Sequence, residues 1–142
     1  FINTQFNHPG ELTEDAVRAC WRLSDAGIPL GNQMVFLRGI NNDKYIVQLL
    51  NEGLLKARVR PYYIFHPKQV KGTKHFEISV EEGLKIMKYL RGHTSGLAIP
   101  QYILNAPKGR GKIPLLPNYI RESDEEHVKL LTWEDEEVEI RY

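Results

Sequence analysis

The apolar residues of this 142-residue chain change rhythm several times, and each change marks an element. FINTQF alternates like a short strand and is cut off by Asn-His-Pro-Gly, a run that neither strand nor helix tolerates. From Thr13 onward Ala16, Ala19, Cys20 and Leu23 recur at helical spacing, Glu14 and Asp15 suit a first turn, and Gly27 suits the stop, which predicts a helix. MVFLRG is apolar and branched enough for a buried strand broken at Asn41 and Asn42, after which Tyr45, Ile46, Leu49 and Leu50 return to helical spacing. RVRPYYIF reads as a strand despite Pro61. A polar loop runs on through Lys74, and Ser79 with Glu82 three residues later forms a capping box for a third helix ending near Gly92. A further strand is predicted at AIPQYIL.

Strands alternating with helices predict an α/β fold with parallel strands and crossover helices, either part of a (βα) barrel or a doubly wound sheet, with the barrel preferred. The segment NAPKGRGKIPLLPNYI has too much Pro and Gly to be one element throughout, and loops of that kind serve a ligand or a lid. The tail reads as two short strands, VKLLTW and VEIRY, around the acidic turn EDEE. The expected organisation is therefore a barrel portion over residues 1–104, a lysine-bearing loop over 105–121 and a small β-rich appendage over 122–142.

Composition narrows the partners. Nineteen basic against eighteen acidic residues leave a formal charge of +1, without the electrostatic footprint that nucleic-acid or anionic-membrane binding requires. No apolar run is long enough to cross a bilayer and the first residues lack signal-peptide features, so a cytoplasmic location is expected. The one cysteine, Cys20, makes neither an internal disulfide nor a multi-thiolate site, so any metal cluster must be held by residues not in this sequence.

Several residues could carry chemistry. Lys112 sits in Gly-Arg-Gly-Lys-Ile-Pro, where small neighbours give access to its amine, and Lys108 and Arg110 are close in sequence. Composition alone favours an exposed flexible loop with solvated charges. The loop is no phosphate-binding P-loop, because Ala106 replaces the first glycine and Ile113 the Ser or Thr. The five histidines show no i, i+4 pair, so no zinc site is expected. Asn32 and Gln33, at the entrance to a buried strand, are either paired in the core or exposed to a ligand at a barrel mouth. Tyr62 and Tyr63 should point to opposite faces of their strand.

In order and spacing, FNHPGELTEDAVRAC, AGIPLGNQMVFLRGINND, RVRPYYIF, LRGHTSG and AP-x-G-x-GK-x-P-x-x-PNY resemble the C-terminal half of the lysine 2,3-aminomutase family, from Asn3 to Tyr119 with a weaker tail. The resemblance implies a partial TIM-like barrel of the radical S-adenosylmethionine (SAM) type and a [4Fe-4S] cluster on cysteines outside these residues. It also implies SAM on that cluster and pyridoxal phosphate (PLP) joined to Lys112 as an imine. In the implied reaction a 5′-deoxyadenosyl radical removes a hydrogen from an amino acid held as a PLP aldimine, and the amino group moves from C2 to C3. Gln33 matches a SAM-contacting position and Tyr62 a residue facing the active site. Gln5 and Phe65 replace a histidine and a tyrosine around the cofactors, and Asp43 replaces a zinc-binding cysteine.

The resemblance also bears on the substrate. Where the lysine enzymes hold a distant ammonium with two aspartates, this sequence has Lys68 and Asn105, so the charge is reversed. An ammonium facing Lys68 is repelled, whereas a carboxylate gains a charge-assisted hydrogen bond and an amide N–H. The pattern resembles the glutamate-specific branch, which turns L-glutamate into β-glutamate. The alternatives are a lysine 2,3-aminomutase-type enzyme acting on lysine or another amino acid, or a non-catalytic binding module of the same fold. The PLP-phosphate and α-carboxylate arginines belong to the family's other half, so these residues alone are expected to be inactive, and association into a homo-oligomer is expected of the complete protein.

Overall fold

The computed structural model describes residues 1–142. Three helices form where polar caps meet helical apolar spacing. Helix α1 (Glu14–Asp25) opens with Thr13 Oγ1 accepting from Ala16 N at 3.2 Å, and the chain leaves it through Gly27 at φ +76°, a left-handed position that glycine occupies without a Cβ clash. Helix α2 (Lys44–Lys56) is capped by Asp43, whose carboxylate accepts from Tyr45 N at 2.8 Å and Ile46 N at 3.2 Å. Helix α3 (Val80–His93) starts where Ser79 Oγ accepts from Glu82 N at 3.1 Å. The expected reciprocal box is half made, because Asn42 Nδ2 donates to the Glu82 carboxylate at 2.6 Å and takes it away from the cap.

Between the helices run parallel strands β1 (Ile2–Thr4), β2 (Leu30–Val35), β3 (Arg60–Phe65) and β4 (Gln101–Asn105), in sheet order 1-2-3-4, with β5 (Lys112–Leu115) antiparallel to β4. The second strand begins at Leu30, four residues before the expected MVFLRG, and ends at Val35. Gly31 and Asn32 disguised its start. A Cβ on Gly31 would lie 2.9 Å from Asn3 Oδ1, so a larger residue there would have to displace the Asn3 side chain on β1. Asn32, 2% exposed, is satisfied across the strands: it accepts from Thr4 Oγ1 and Phe6 N and donates to Phe6 O, at 2.7–3.0 Å.

The core gathers Leu30, Met34, Ile64 and Tyr102 from the sheet with Val47, Leu50, Leu54, Ile86, Met87 and Leu90 from the helices, and Phe36 meets Tyr102 edge-on at 5.2 Å. By strand alternation Gln33, Val35, Tyr63, Phe65, Ile103 and Asn105 face away from the helices. The parallel strands run in sequence order, with no reversal among them.

The Pro/Gly-rich segment holds more order than its composition suggests: a 3₁₀ turn at Pro107–Gly109 and then β5, an edge strand that accommodates Pro114 opposite Ile103. Beyond it β6 (Ile120–Ser123), β7 (His127–Leu131) and β8 (Glu137–Arg141) form a separate antiparallel sheet, one strand more than the two expected. It docks on α3 where Trp133 covers Gly92, so closely that a Cβ there would fall 2.2 Å from the indole, and where Lys88 pairs with Asp135. No helix is long and apolar enough to cross a membrane.

Candidate functional site at the carboxyl ends of the parallel strands

In a parallel sheet all strands point the same way, so the segments that follow β3 and β4 emerge side by side. That directionality brings Lys68, three residues past β3, next to Asn105, the last residue of β4. Asn105 is in turn the register partner of Lys112 across the antiparallel β4–β5 pair, and directly opposed residues share a face. Lys68, Asn105 and Lys112 line one cleft of about 910 Å³ together with His66, Pro67, Gln69, Leu104 and the turn Ala106–Gly109. No acidic side chain lines it, so its field is positive and its donors face it unopposed.

A second cleft, about 490 Å³, shares His66, Pro67, Lys68 and Asn105 with the first and adds Gln5, Gln33, Val35 and Phe65. Five of the six candidate side chains thus border two adjoining clefts. Asn32 and Gln33 divide the two readings left open by the sequence: Asn32 is paired in the core, while Gln33 is half-buried on the open face.

Tyr62 falls elsewhere. The β2–β3 register slips between Asn32 and Gln33, whose partners are Pro61 and Tyr63, leaving Tyr62 as the extra residue of a bulge. The two tyrosines therefore do not oppose each other across the strand; their rings stack at 3.7 Å. Tyr62 borders a third cleft near the amino ends of β2 and β3, with Leu30, Arg60 and Leu97. The ring under the candidate lysine is Tyr63, whose centroid lies 5.3 Å from Lys112 Nζ, a cation–π distance. Alternation left open which tyrosine faces the site and the resemblance pointed to Tyr62, so Tyr63 was missed.

His66 was also missed. Its Nδ1 lies 2.7 Å from Tyr102 Oη, and burial lowers the imidazole's proton affinity, opposed only in part by Glu77. Burial pushes the Tyr102 phenol far above its usual range, so its O–H stays on as a donor. The one arrangement that satisfies both groups has Tyr102 O–H donating to Nδ1, which leaves the proton of a neutral His66 on Nε2. Tyr102 itself is fixed by Gly83 of α3, where a Cβ would lie 2.4 Å from the hydroxyl.

Each group that the cofactors would need can be tested against these residues. Lys112 fits PLP: the residue is exposed and lines the cleft, as an amine joined to PLP would have to be. Gln5 and Gln33 offer polar side chains for SAM in the second cleft. An iron–sulfur cluster does not fit this chain. Cys20 is 4% exposed in the core with its thiol pushed toward the protonated form, and no three His, Cys, Asp or Glu side chains converge on a metal position. Asp43, at the position compared with a zinc-binding cysteine, serves as the α2 cap.

The family model described as lysine-2,3-aminomutase matches residues 87–137, from within α3 to the first residue of β8, so β6 and β7 of the second sheet lie in matched sequence. Over 134 residues, 94% of this chain, the sequence is 61% identical to glutamate 2,3-aminomutase of Clostridioides difficile. Over the same share it is 47% identical to L-lysine 2,3-aminomutase of Methanococcus maripaludis and 46% to that of Clostridium subterminale. The chain spans about a third of the length of these curated relatives: 32%, 31% and 32%.

Proposed function

This chain belongs to the lysine 2,3-aminomutase family, and from that premise we propose that it forms the substrate-side part of an isomerase that moves the 2-amino group of L-glutamate to C3. The observation that carries the reading is the placement of a cation, Lys68, and an amide, Asn105, beside Lys112 in a cleft without an acidic residue. A ligand carboxylate there gains a charge-assisted hydrogen bond and a neutral one, whereas a ligand ammonium meets only like charge. The higher identity to the relative named for glutamate, 61% against 47% and 46%, agrees with that polarity.

In this reading the parallel sheet is part of a radical SAM barrel, supported by its unreversed order and by helices on one face. PLP and SAM, when bound, supply the electron sink and the hydrogen-abstracting radical. Lys112 is the covalent anchor, held over the Tyr63 ring at the start of β5. Lys68 and Asn105 fix the far carboxylate of the substrate and so set which of its C–H bonds is presented. Gln5 and Gln33 hold polar groups of the neighbouring ligand. Val35 and Phe65 give this second cleft an apolar wall that limits water.

The reading is tested with the intact protein, kept anoxic and supplied with PLP and SAM. L-glutamate should be isomerised to its 3-amino form at least about tenfold more efficiently than L-lysine, the discrimination expected of one charge-assisted hydrogen bond. Equal turnover, or a preference for lysine, removes the substrate assignment.

A further inference from the structure

Lys108 occupies an unusual backbone position for a lysine. It lies inside the Pro107–Gly109 turn at φ 57°, ψ 33°, in the left-handed region that glycine adopts freely and a side chain with a Cβ does not. The turn is closed on itself: Ala106 N donates to Gly111 O at 2.8 Å and Arg110 N to Pro107 O at 3.4 Å, so the conformation is built in by the loop. The three non-glycine residues in this region are Arg58, Lys108 and Asp135, and of these only Lys108 lines the Lys68–Asn105–Lys112 cleft. No ion pair in the structure engages Lys108, and no carboxylate lines the cleft to neutralise it. Arg110, two residues on, does not line it.

A glycine at position 108 would satisfy the backbone at lower cost, so the lysine must be accounted for by what its side chain does. We propose that Lys108 is a specificity-determining residue, a second cation held over the cleft mouth by its left-handed backbone to recognise the side-chain carboxylate of an acidic amino acid together with Lys68. The inference rests on the reading of the cleft as an acidic-substrate site, and goes beyond it by assigning a role to a residue of the turn. Lys108 is exposed, so its contribution is screened and smaller than that of a buried pair. It acts on charge and not on shape: it should separate glutamate from glutamine, which match in size and differ in one charge.

The experiment is equilibrium binding of L-glutamate and L-glutamine to the intact protein by calorimetry, for the unaltered protein and for Lys108→Gly, Lys108→Arg and Arg110→Gly. Glycine is the informative replacement because it keeps the turn's conformation while removing the charge. Lys108→Gly should weaken glutamate binding by about fivefold, leave glutamine binding unchanged, and not lower the thermal midpoint. Lys108→Arg should restore the glutamate preference, and Arg110→Gly should not disturb it. The inference is overturned if the glutamate-to-glutamine ratio is the same with and without Lys108, or if Arg110→Gly lowers it as much. Failure of the underlying reading looks different, because the unaltered protein would then bind glutamine as tightly as glutamate.

Discussion

Gly83→Ala tests how the site is held from beneath. A methyl group at position 83 would lie 2.4 Å from the Tyr102 hydroxyl and 2.5 Å from its Cζ, well inside contact distance. The ring has nowhere to go, since it is fully buried, meets Phe36 edge-on at 5.2 Å and is bonded to His66 at 2.7 Å. Overpacking of a well-filled core costs about 1–3 kcal/mol. Loss of the hydroxyl–imidazole bond adds about 1 kcal/mol. Against this, alanine is favoured over glycine inside a helix by about 1 kcal/mol. The balance is a destabilisation of about 1–3 kcal/mol, which at a urea slope of about 2 kcal/mol/M should lower the midpoint by roughly 0.5–1.5 M. The assay is urea unfolding of the intact protein followed by tryptophan fluorescence, with Gly96→Ala as control because nothing lies within 4 Å of a Cβ there. A midpoint for Gly83→Ala equal to or above that of the unaltered protein would refute the packing argument.

Two further outcomes follow from buried polar groups. His66 has its proton affinity lowered by burial, so between its folded pKa and the ordinary value of about 6.5 the unfolded chain binds more protons than the folded one. Stability should therefore fall as pH drops through about 6.5, and His66→Gln should flatten that slope in urea midpoints taken across the window; an unaltered slope would contradict the assignment. Asn41 is fully buried, donates to Asn7 O and Val35 O at 2.9 Å and accepts from Leu37 N at 2.7 Å. Asn41→Ala strands three backbone groups and should cost about 2–4 kcal/mol in the same unfolding assay, whereas a cost below about 1 kcal/mol would show that water replaces the amide.

What could be read in advance follows from how local each cause is. The helices were legible because caps such as Thr13 and Ser79 and the apolar spacing behind them act within a few residues. The start of β2 was not, since Gly31 and Asn32 look unlike a strand until Asn3, Thr4 and Phe6 are placed beside them. Alternation misjudged Tyr62 and Tyr63 for the same reason: the bulge is a property of the β2–β3 register and not of β3 alone. Strand β5 was hidden because Pro114 counts against a strand except at an edge. Within the candidate site, nothing periodic links Lys68 to Lys112. They meet because parallel β3 and β4 deliver their trailing segments to one end; local sequence pointed to Lys112 alone, and only the resemblance of the surrounding strings joined Lys68 to it beforehand.

The charge polarity of the cleft is the claim from which the rest proceeds, and exchanging it is the most direct measurement. Lys68→Asp with Asn105→Asp, introduced together into the intact protein, replaces a cation and an amide at the cleft wall with two carboxylates. The ratio of L-glutamate to L-lysine turnover should fall by about tenfold or more, with lysine gaining as glutamate loses. A ratio that stays where it was, in a protein that still binds its cofactors, would contradict the account.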